Sequence, residues 1–282
     1  VTLPIASLLR SHGLSPRKDL GQNFLTDPAI LSRIVSAADL SPQDLVVEVG
    51  AGTGTLTRAV AEAAGRVVAL ELDRRLVEIL QEQLADLPNV DIHHANVLSH
   101  PIAGLGHRGY KVVGNLPYYI TSAVLRRFLE AEPRPQILVV TVQREVAERI
   151  VASPGDMSLL AVSVQFYGRP RIVMRIRAGA FYPPPKVDSA VVRIDVFEQP
   201  TVALSERCSE ERFFRVVRAG FSQKRKTLRN SLRGGLGLSA AMVEKALQQA
   251  GVDDRRRAET LSLQDWAAVA EALGSEQVEG QA

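Results

Sequence analysis

Apolar and polar positions divide the chain into short continuous apolar runs and longer amphipathic stretches. Leu45-Val-Val-Glu-Val49 runs straight into Gly50, the form of a strand buried on both faces. A helix is expected after it, from about Thr55 to Ala64. Further strands are expected over Arg66–Leu70, Val90–His94, Tyr110–Gly114 and Gln136–Val142. Leu76, Ile79, Leu80, Leu84 and Leu87 recur at helical spacing, with Asp73 placed to cap that helix. Residues 3–12 read as a short amphipathic helix. Asp27-Pro28 is an N-cap and first-turn pair that starts a helix to about Ala38. Gln22–Leu25 then fall in a loop, where Phe24 and Leu25 alone would read as a hydrophobic staple.

Beyond residue 142 the pattern predicts helices over Gln143–Ala152 and Ser158–Phe166, and strands near Arg171–Arg177 and Ser189–Phe197. Between those strands, the prolines of Phe181–Asp188 predict a stiff extended loop. The strand pattern stops near Glu198. Four helices follow, over Glu211–Ala219, Lys224–Leu232, Ser239–Ala250 and Ser262–Leu273. Strands alternating with helices imply an α/β fold, a mostly parallel Rossmann-like sheet with helices on both faces. A small all-helical domain is expected after it, the division being 1–200 and 201–282.

Two features mark a nucleotide site. Gly50, Gly52 and Gly54 form a G-x-G-x-G turn between strand and helix, where a ligand can approach backbone closely. Glu71 ends the next strand, about 20 residues on, where an acid meets ribose hydroxyls. Together they suit an adenosine-type cofactor and leave nicotinamide dinucleotide and S-adenosylmethionine both open. The strand ending at Gly114 discriminates. It leads into Asn115-Leu-Pro-Tyr118, which holds no acid or base for hydride chemistry. Asn115 and the Leu116 carbonyl, aimed by Pro117, are acceptors for an exocyclic amine, and Tyr118 is a stacking face. An amine held in line with a sulfonium methyl needs positioning more than proton transfer.

Composition narrows the setting. The 282 residues are 46% hydrophobic, with net charge +3 and a pI of about 9.2. No apolar stretch reaches the ~18 to 20 residues that span a bilayer, and Val1-Thr-Leu-Pro-Ile5 does not read as a secretion signal. Cys208 is the only cysteine, which leaves no internal disulfide and no cysteine-clustered zinc site. His93 and His94 adjoin on a strand and point to opposite faces. The expectation is a reducing, cytoplasmic setting, a monomer and no metal. Charge is concentrated locally: eight Lys or Arg and no acid occur from Arg212 to Arg233. Lys224, Arg225, Lys226 and Arg229 are the candidates for an RNA-phosphate face.

Several motifs occur in a set order: Gln22-Asn-Phe-Leu25, Glu48-Val-Gly-Ala-Gly-Thr-Gly54, Asn115-Leu-Pro-Tyr118, Gln143-Arg-Glu-Val-Ala-Glu-Arg149, Phe181-x-Pro-Pro-Pro-Lys-Val-Asp-Ser189, and Phe221-Ser-Gln-Lys-Arg-Lys-Thr-Leu-Arg-Asn-Ser-Leu232. In this the chain resembles the KsgA-type small-subunit (16S) ribosomal RNA adenine dimethyltransferases over nearly its whole length. The resemblance implies a class I S-adenosylmethionine-dependent methyltransferase sheet. It implies transfer of two methyls to N6 of each of two adjacent adenosines near the 3′ end of the small-subunit rRNA, within the 30S subunit or its precursor. It also implies that Asn23, Leu25 and Gly50 line the cofactor, that Glu71 binds its ribose, and that Asn115 touches cofactor and target. Phe181 would face Tyr118 across a flipped base. Asn96 stands where the family usually has Asp, an acceptor for the cofactor adenine's amine. An Asn oxygen can accept that bond without the charge. The competing readings are a resistance-type large-subunit rRNA methylase, a non-catalytic RNA-binding assembly factor, and a nicotinamide oxidoreductase. Intact Asn115–Tyr118 argues against the assembly factor, and the Pro-Pro-Pro-Lys-Val-Asp-Ser and Lys-Arg-Lys-Thr-Leu-Arg-Asn stretches against the large-subunit enzyme.

Overall fold

The computed structural model describes the backbone of residues 4–101, 109–206 and 208–279, with side chains to residue 274. Its elements begin with α1 (Ile5–Ser11), β1 (Phe24–Leu25), α2 (Pro28–Ala38), β2 (Leu45–Val49), α3 (Thr55–Ala61), β3 (Arg66–Glu71), α4 (Arg74–Gln83), β4 (Val90–His94) and β5 (Lys111–Asn115). They continue with α5 (Thr121–Glu130), β6 (Ile137–Gln143), α6 (Arg144–Ile150), α7 (Leu159–Tyr167), β7 (Gly168–Ile176), β8 (Phe181–Tyr182) and β9 (Ser189–Val196). Four helices close the chain: α8 (Glu210–Phe221), α9 (Leu228–Leu236), α10 (Ala240–Gln249) and α11 (Leu263–Glu279). No described helix is long and apolar enough to cross a membrane.

The main sheet has the order β4-β3-β2-β5-β6-β9-β7. β4, β3, β2, β5 and β6 are parallel, and β9 runs antiparallel to β6. Every residue of β6 from Ile137 to Val142 is buried, as a strand covered on both faces requires. Successive strands step outward from β2 to β4. The chain then crosses back to lay β5 on the other side of β2. That reversal opens a crevice at the carboxyl ends of β2 and β5, where open α/β sheets bind ligands. Val49 pairs with Gly114, so Gly50 and Asn115 leave the sheet side by side.

Local chemistry starts the helices as expected. Asp27 accepts from the Ala29 N–H at 2.9 Å ahead of α2, and Asp73 accepts from the Arg75 N–H at 3.2 Å ahead of α4. Two segments differ from the sequence expectation. Phe24 and Leu25 are not loop residues. They form β1, antiparallel to β8, with Leu25 opposite Phe181. Their partner lies over 150 residues away in sequence, and no local pattern announces it. The helix expected from Lys224 begins at Leu228, and Lys224–Lys226 lie in the turn before it. There the Gln223 carbonyl accepts from the Lys226 N–H at 3.0 Å.

The chain forms two compact units. One is 1–148 with 169–196, and the other is 149–168 with 197–282. The stretch 149–168, placed by the sequence reading in the first domain, thus belongs with the C-terminal helices. The reason is aromatic packing. α7 is buried nearly all round, and Phe166 stacks on Phe213 of α8 at 4.7 Å between ring centroids and meets Phe214 edge-on at 5.1 Å. In the same unit Trp266 is fully buried against Gly220. A Cβ at Gly220 would lie 2.3 Å from the indole, so only glycine lets the helices approach this closely.

Candidate active site

The crevice is an open pocket of about 790 Å³, lined by the 20–24 segment, the carboxyl ends of β2, β3, β4 and β5, and Leu76 of α4. Gly50 and Gly52 adopt φ of +75° and +61°. A Cβ on Gly50 would stand 3.7 Å from the Asn115 carbonyl oxygen, filling the space a ligand would use. The turn is held from behind by Glu71. One of its carboxylate oxygens accepts from the Gly52 N–H and the other from the Asp73 N–H, both at 2.8 Å. Burial raises the Glu71 pKa, and these two donors oppose the shift.

Asn115 lies half-buried at the end of β5. Its side-chain Nδ2 donates to the Asn23 carbonyl at 2.7 Å. That bond fixes the amide with Oδ1 left as the free acceptor. Leu116 is buried and its N–H donates to the Thr141 carbonyl at 3.2 Å. Its own carbonyl accepts no bond among the described residues. The Tyr118 hydroxyl shares a 2.7 Å hydrogen bond with the fully buried Ser189 hydroxyl, which pins the ring at the pocket wall. Asn96 lines the opposite end, its Oδ1 accepting from the Leu98 N–H at 2.9 Å.

The structure therefore gathers Asn23, Gly50, Glu71, Asn96, Asn115, Leu116 and Tyr118 around one pocket. It places the six other expected residues elsewhere. Phe181 is 4% exposed in the apolar cluster with Leu25, Leu31 and Ile34, and is not among the pocket's lining residues. The β1–β8 pairing draws it into that core. Leu25 itself borders a smaller recess behind the glycine turn, with Glu48, Gly50 and Asn115. In the C-terminal unit Lys224, Arg225 and Lys226 are exposed and meet no carboxylate among the described residues. Arg229 does meet carboxylates: it lies 2.6 Å from Glu244 and 3.6 Å from Asp254. The acid-free window in sequence is not acid-free in space, because α10 and the loop after it return two carboxylates to α9.

Sequence reasoning passed over three residues. Gln22 donates through Nε2 to Asp73 at 3.0 Å and accepts from the Arg17 N–H at 2.8 Å, tying the 17–23 loop across the pocket to the start of α4. Its place in Gln22-Asn-Phe-Leu25 was the available signal. Glu48 is 1% exposed, and one of its carboxylate oxygens has no partner among the described residues. Burial pushes its pKa up to about 7, the charge of Glu71 adds to the shift, and Thr57 opposes it. An acid inside an apolar run was visible in sequence, but its full burial was not. Tyr119 lines the pocket mouth while 63% exposed.

A family model described as ribosomal RNA adenine dimethylase matches residues 13–274. The chain belongs to this family. It is 49% identical over 261 residues to ribosomal RNA small subunit methyltransferase A of Dehalococcoides mccartyi, covering 92% of this chain and 89% of the relative. To the protein of the same name from Pelotomaculum thermopropionicum it is 44% identical over 283 residues, covering 95% of each. Among solved structures, 23S rRNA methyltransferase ErmE superposes with a TM-score of 0.71 at 31% identity, over 89% of this chain and 99% of that one. A dimethyladenosine transferase from Plasmodium falciparum gives 0.73 at 23% identity, over 87% and 95%, a likeness of fold. The sheet with its helices is thus that of the class I methyltransferases, as the resemblance implied.

S-adenosylmethionine fits the pocket on the structure's own terms. The glycine turn leaves room where a Cβ would stand, and the Glu71 carboxylate, still with lone pairs to spare, sits beside it. Asn96 lines the pocket and is the expected acceptor for the cofactor adenine's amine. Asn96→Asp keeps the Oδ1 bond to Leu98 and adds a charged acceptor. Calorimetry should give several-fold tighter binding of S-adenosylmethionine to this variant; a large loss would mean that the adenine lies elsewhere.

Proposed function

We propose that the chain methylates N6 of two adjacent adenosines near the 3′ end of small-subunit (16S) rRNA, using S-adenosylmethionine, and leaves N6,N6-dimethyladenosine during ribosome biogenesis. The observation that carries this reading is the pair of acceptors at the end of β5. Asn115 Oδ1 and the Leu116 carbonyl stand free beside the glycine turn, inside a family defined by rRNA adenine dimethylation.

The bound cofactor supplies an electrophilic methyl group. The protein's task is to present a poor nucleophile to it, because the adenine amine lone pair is delocalised into the ring. Asn115 Oδ1 and the Leu116 carbonyl accept the amine's N–H groups. They hold the nitrogen in line and favour the charge that develops on it. Tyr118 stacks on the base, which has left its RNA stack to reach the pocket. For Phe181 to take the opposite face, its ring must turn out of the core cluster. Glu71 accepts from the ribose hydroxyls, and Gly50 lets the cofactor lie against backbone. No protein base is needed, since the cationic product can lose its proton to water.

Lys224, Arg225 and Lys226 supply phosphate contacts that position the RNA without reading its sequence. Replacing all three with Ala should weaken RNA binding and flatten the slope of log K on log salt by about 2 to 3. Cofactor affinity should not change. An unchanged slope in a salt titration would remove this turn from the RNA interface.

Identities of 44–49% with small-subunit enzymes, against 31% with the 23S enzyme, support the small-subunit target over the large. The deciding experiment offers labelled S-adenosylmethionine to undermethylated small subunits, large subunits and free rRNA, followed by mass spectrometry of the nucleosides. Dimethyladenosine in the small-subunit rRNA is expected. Its appearance only in the large subunit would overturn the reading.

A further inference from the structure

Three large hydrophobic residues are exposed among the described residues: Leu72, Tyr119 and Val187. Tyr119 is the most exposed of them, at 63%. It lines the mouth of the pocket, and it follows the Tyr118 platform directly in sequence. The short 3₁₀ turn Tyr118–Ile120 sends the two rings different ways. Tyr118 is tied inward to Ser189, whereas Tyr119 stays in water. Its ring is nonetheless braced. A Cβ on Gly21 would lie 3.5 and 3.6 Å from two of its ring carbons, so the loop that carries Asn23 runs alongside it. The Tyr119 hydroxyl has no hydrogen bond among the described residues, so no polar tether explains its position. Lys18, exposed in the turn closed by the Gly21 N–H to Lys18 carbonyl bond of 3.1 Å, meets no carboxylate there either. A braced, exposed aromatic with an unpaired cation on the adjoining loop matches a stacking face beside a phosphate.

We propose that Tyr119 is the surface on which the nucleobase next to the flipped adenine stacks. The inference rests on reading the pocket as an rRNA adenine site. A base that leaves its helix strips stacking from its neighbour. That neighbour stays attached through one phosphodiester, so it must lie close to the pocket mouth. Consecutive tyrosines then serve consecutive bases, Tyr118 the one reacting and Tyr119 the one beside it. Tyr119 is a recognition residue and touches no reacting atom.

The test is steady-state methylation of undermethylated small subunits by wild type and by Tyr119→Ala, Tyr119→Phe and Tyr119→Trp, with S-adenosylmethionine affinity measured by calorimetry. Tyr119→Ala should raise KM for subunits about tenfold, the scale of one lost base–aromatic stack. Its kcat and cofactor affinity should hold, and Phe and Trp should restore KM. On subunits reconstituted with an abasic nucleotide in place of the neighbouring adenosine, wild type and Tyr119→Ala should have the same KM. An active wild type with an unaffected Tyr119→Ala overturns the proposal. So does a Tyr119→Ala defect that persists against the abasic neighbour. A wild type that methylates no small-subunit adenine would instead bring down the reading of the pocket, and this inference with it.

Discussion

Asn115→Ala should lower kcat for methyl transfer by about 10² to 10³, the cost of removing one preorganised group at a site of developing charge. The side chain does two things that alanine cannot. Its Oδ1, without a hydrogen bond among the described residues, is an acceptor on a residue that lines the pocket, and its Nδ2 donates to the Asn23 carbonyl at 2.7 Å. The variant should still fold, because Asn115 is only half-buried and β5 keeps its pairing to β2 and β6 through the backbone. Asn115→Asp separates the two contributions. It keeps acceptors toward the base but sets a carboxylate against the Asn23 carbonyl. The Asp variant should therefore lose cofactor affinity as well as kcat. Turnover of Asn115→Ala within tenfold of wild type, with normal circular dichroism and cofactor binding, would remove Asn115 from the catalytic centre.

Glu48→Gln should make the apoprotein more stable than wild type at pH 8 by about 3 kcal/mol, an upper figure for a shift of this size. The carboxyl is buried in the middle of the sheet with its pKa raised to about 7 from a reference of 4.5. The folded state therefore holds this proton more tightly than the unfolded chain. The sign follows. The contribution is fully present below about pH 4.5 and is lost as pH rises through about 7. A glutamine mimics the protonated acid and does not titrate, so the stability gap between variant and wild type should open across that window and level off above it. Urea unfolding of both proteins at pH 5 and pH 8 measures the gap. Equal pH dependence in the two would mean that Glu48 is ionised in the fold or exchanges with solvent.

Much of the architecture was legible because it depends on neighbours in sequence. The runs around Val47, Val68, Val113 and Val139 are strands because buried parallel strands need apolar side chains on both faces. Asp27 and Asp73 start helices because an unpaired N–H a residue or two away takes their carboxylate. The glycine turn and Glu71 were legible together, since spacing alone brings a strand end beside the preceding turn. The acceptor motif at the end of β5 gained most from the structure. Asn115–Tyr118 is now a turn whose amide orientation, free carbonyl and tethered tyrosine each have a named partner or a named vacancy in hydrogen bonding.

The misplacements share a cause. Leu25 and Phe181 pair across more than 150 residues, and the same pairing buries the Phe181 ring in the core instead of at the pocket. Arg229 looked free because no acid adjoins it in sequence, yet Glu244 and Asp254 reach it in space. Residues 149–168 were assigned by order along the chain, whereas Phe166 is held by Phe213 and Phe214. By itself the sequence determined the strand and helix types, the glycine turn, the acceptor motif and the family they indicate, because each rests on side-chain chemistry at short range. Only the tertiary structure decided which aromatics stand at the pocket, which cations stay unpaired and which acid is buried, because those depend on long-range packing, which sets burial and charge pairing.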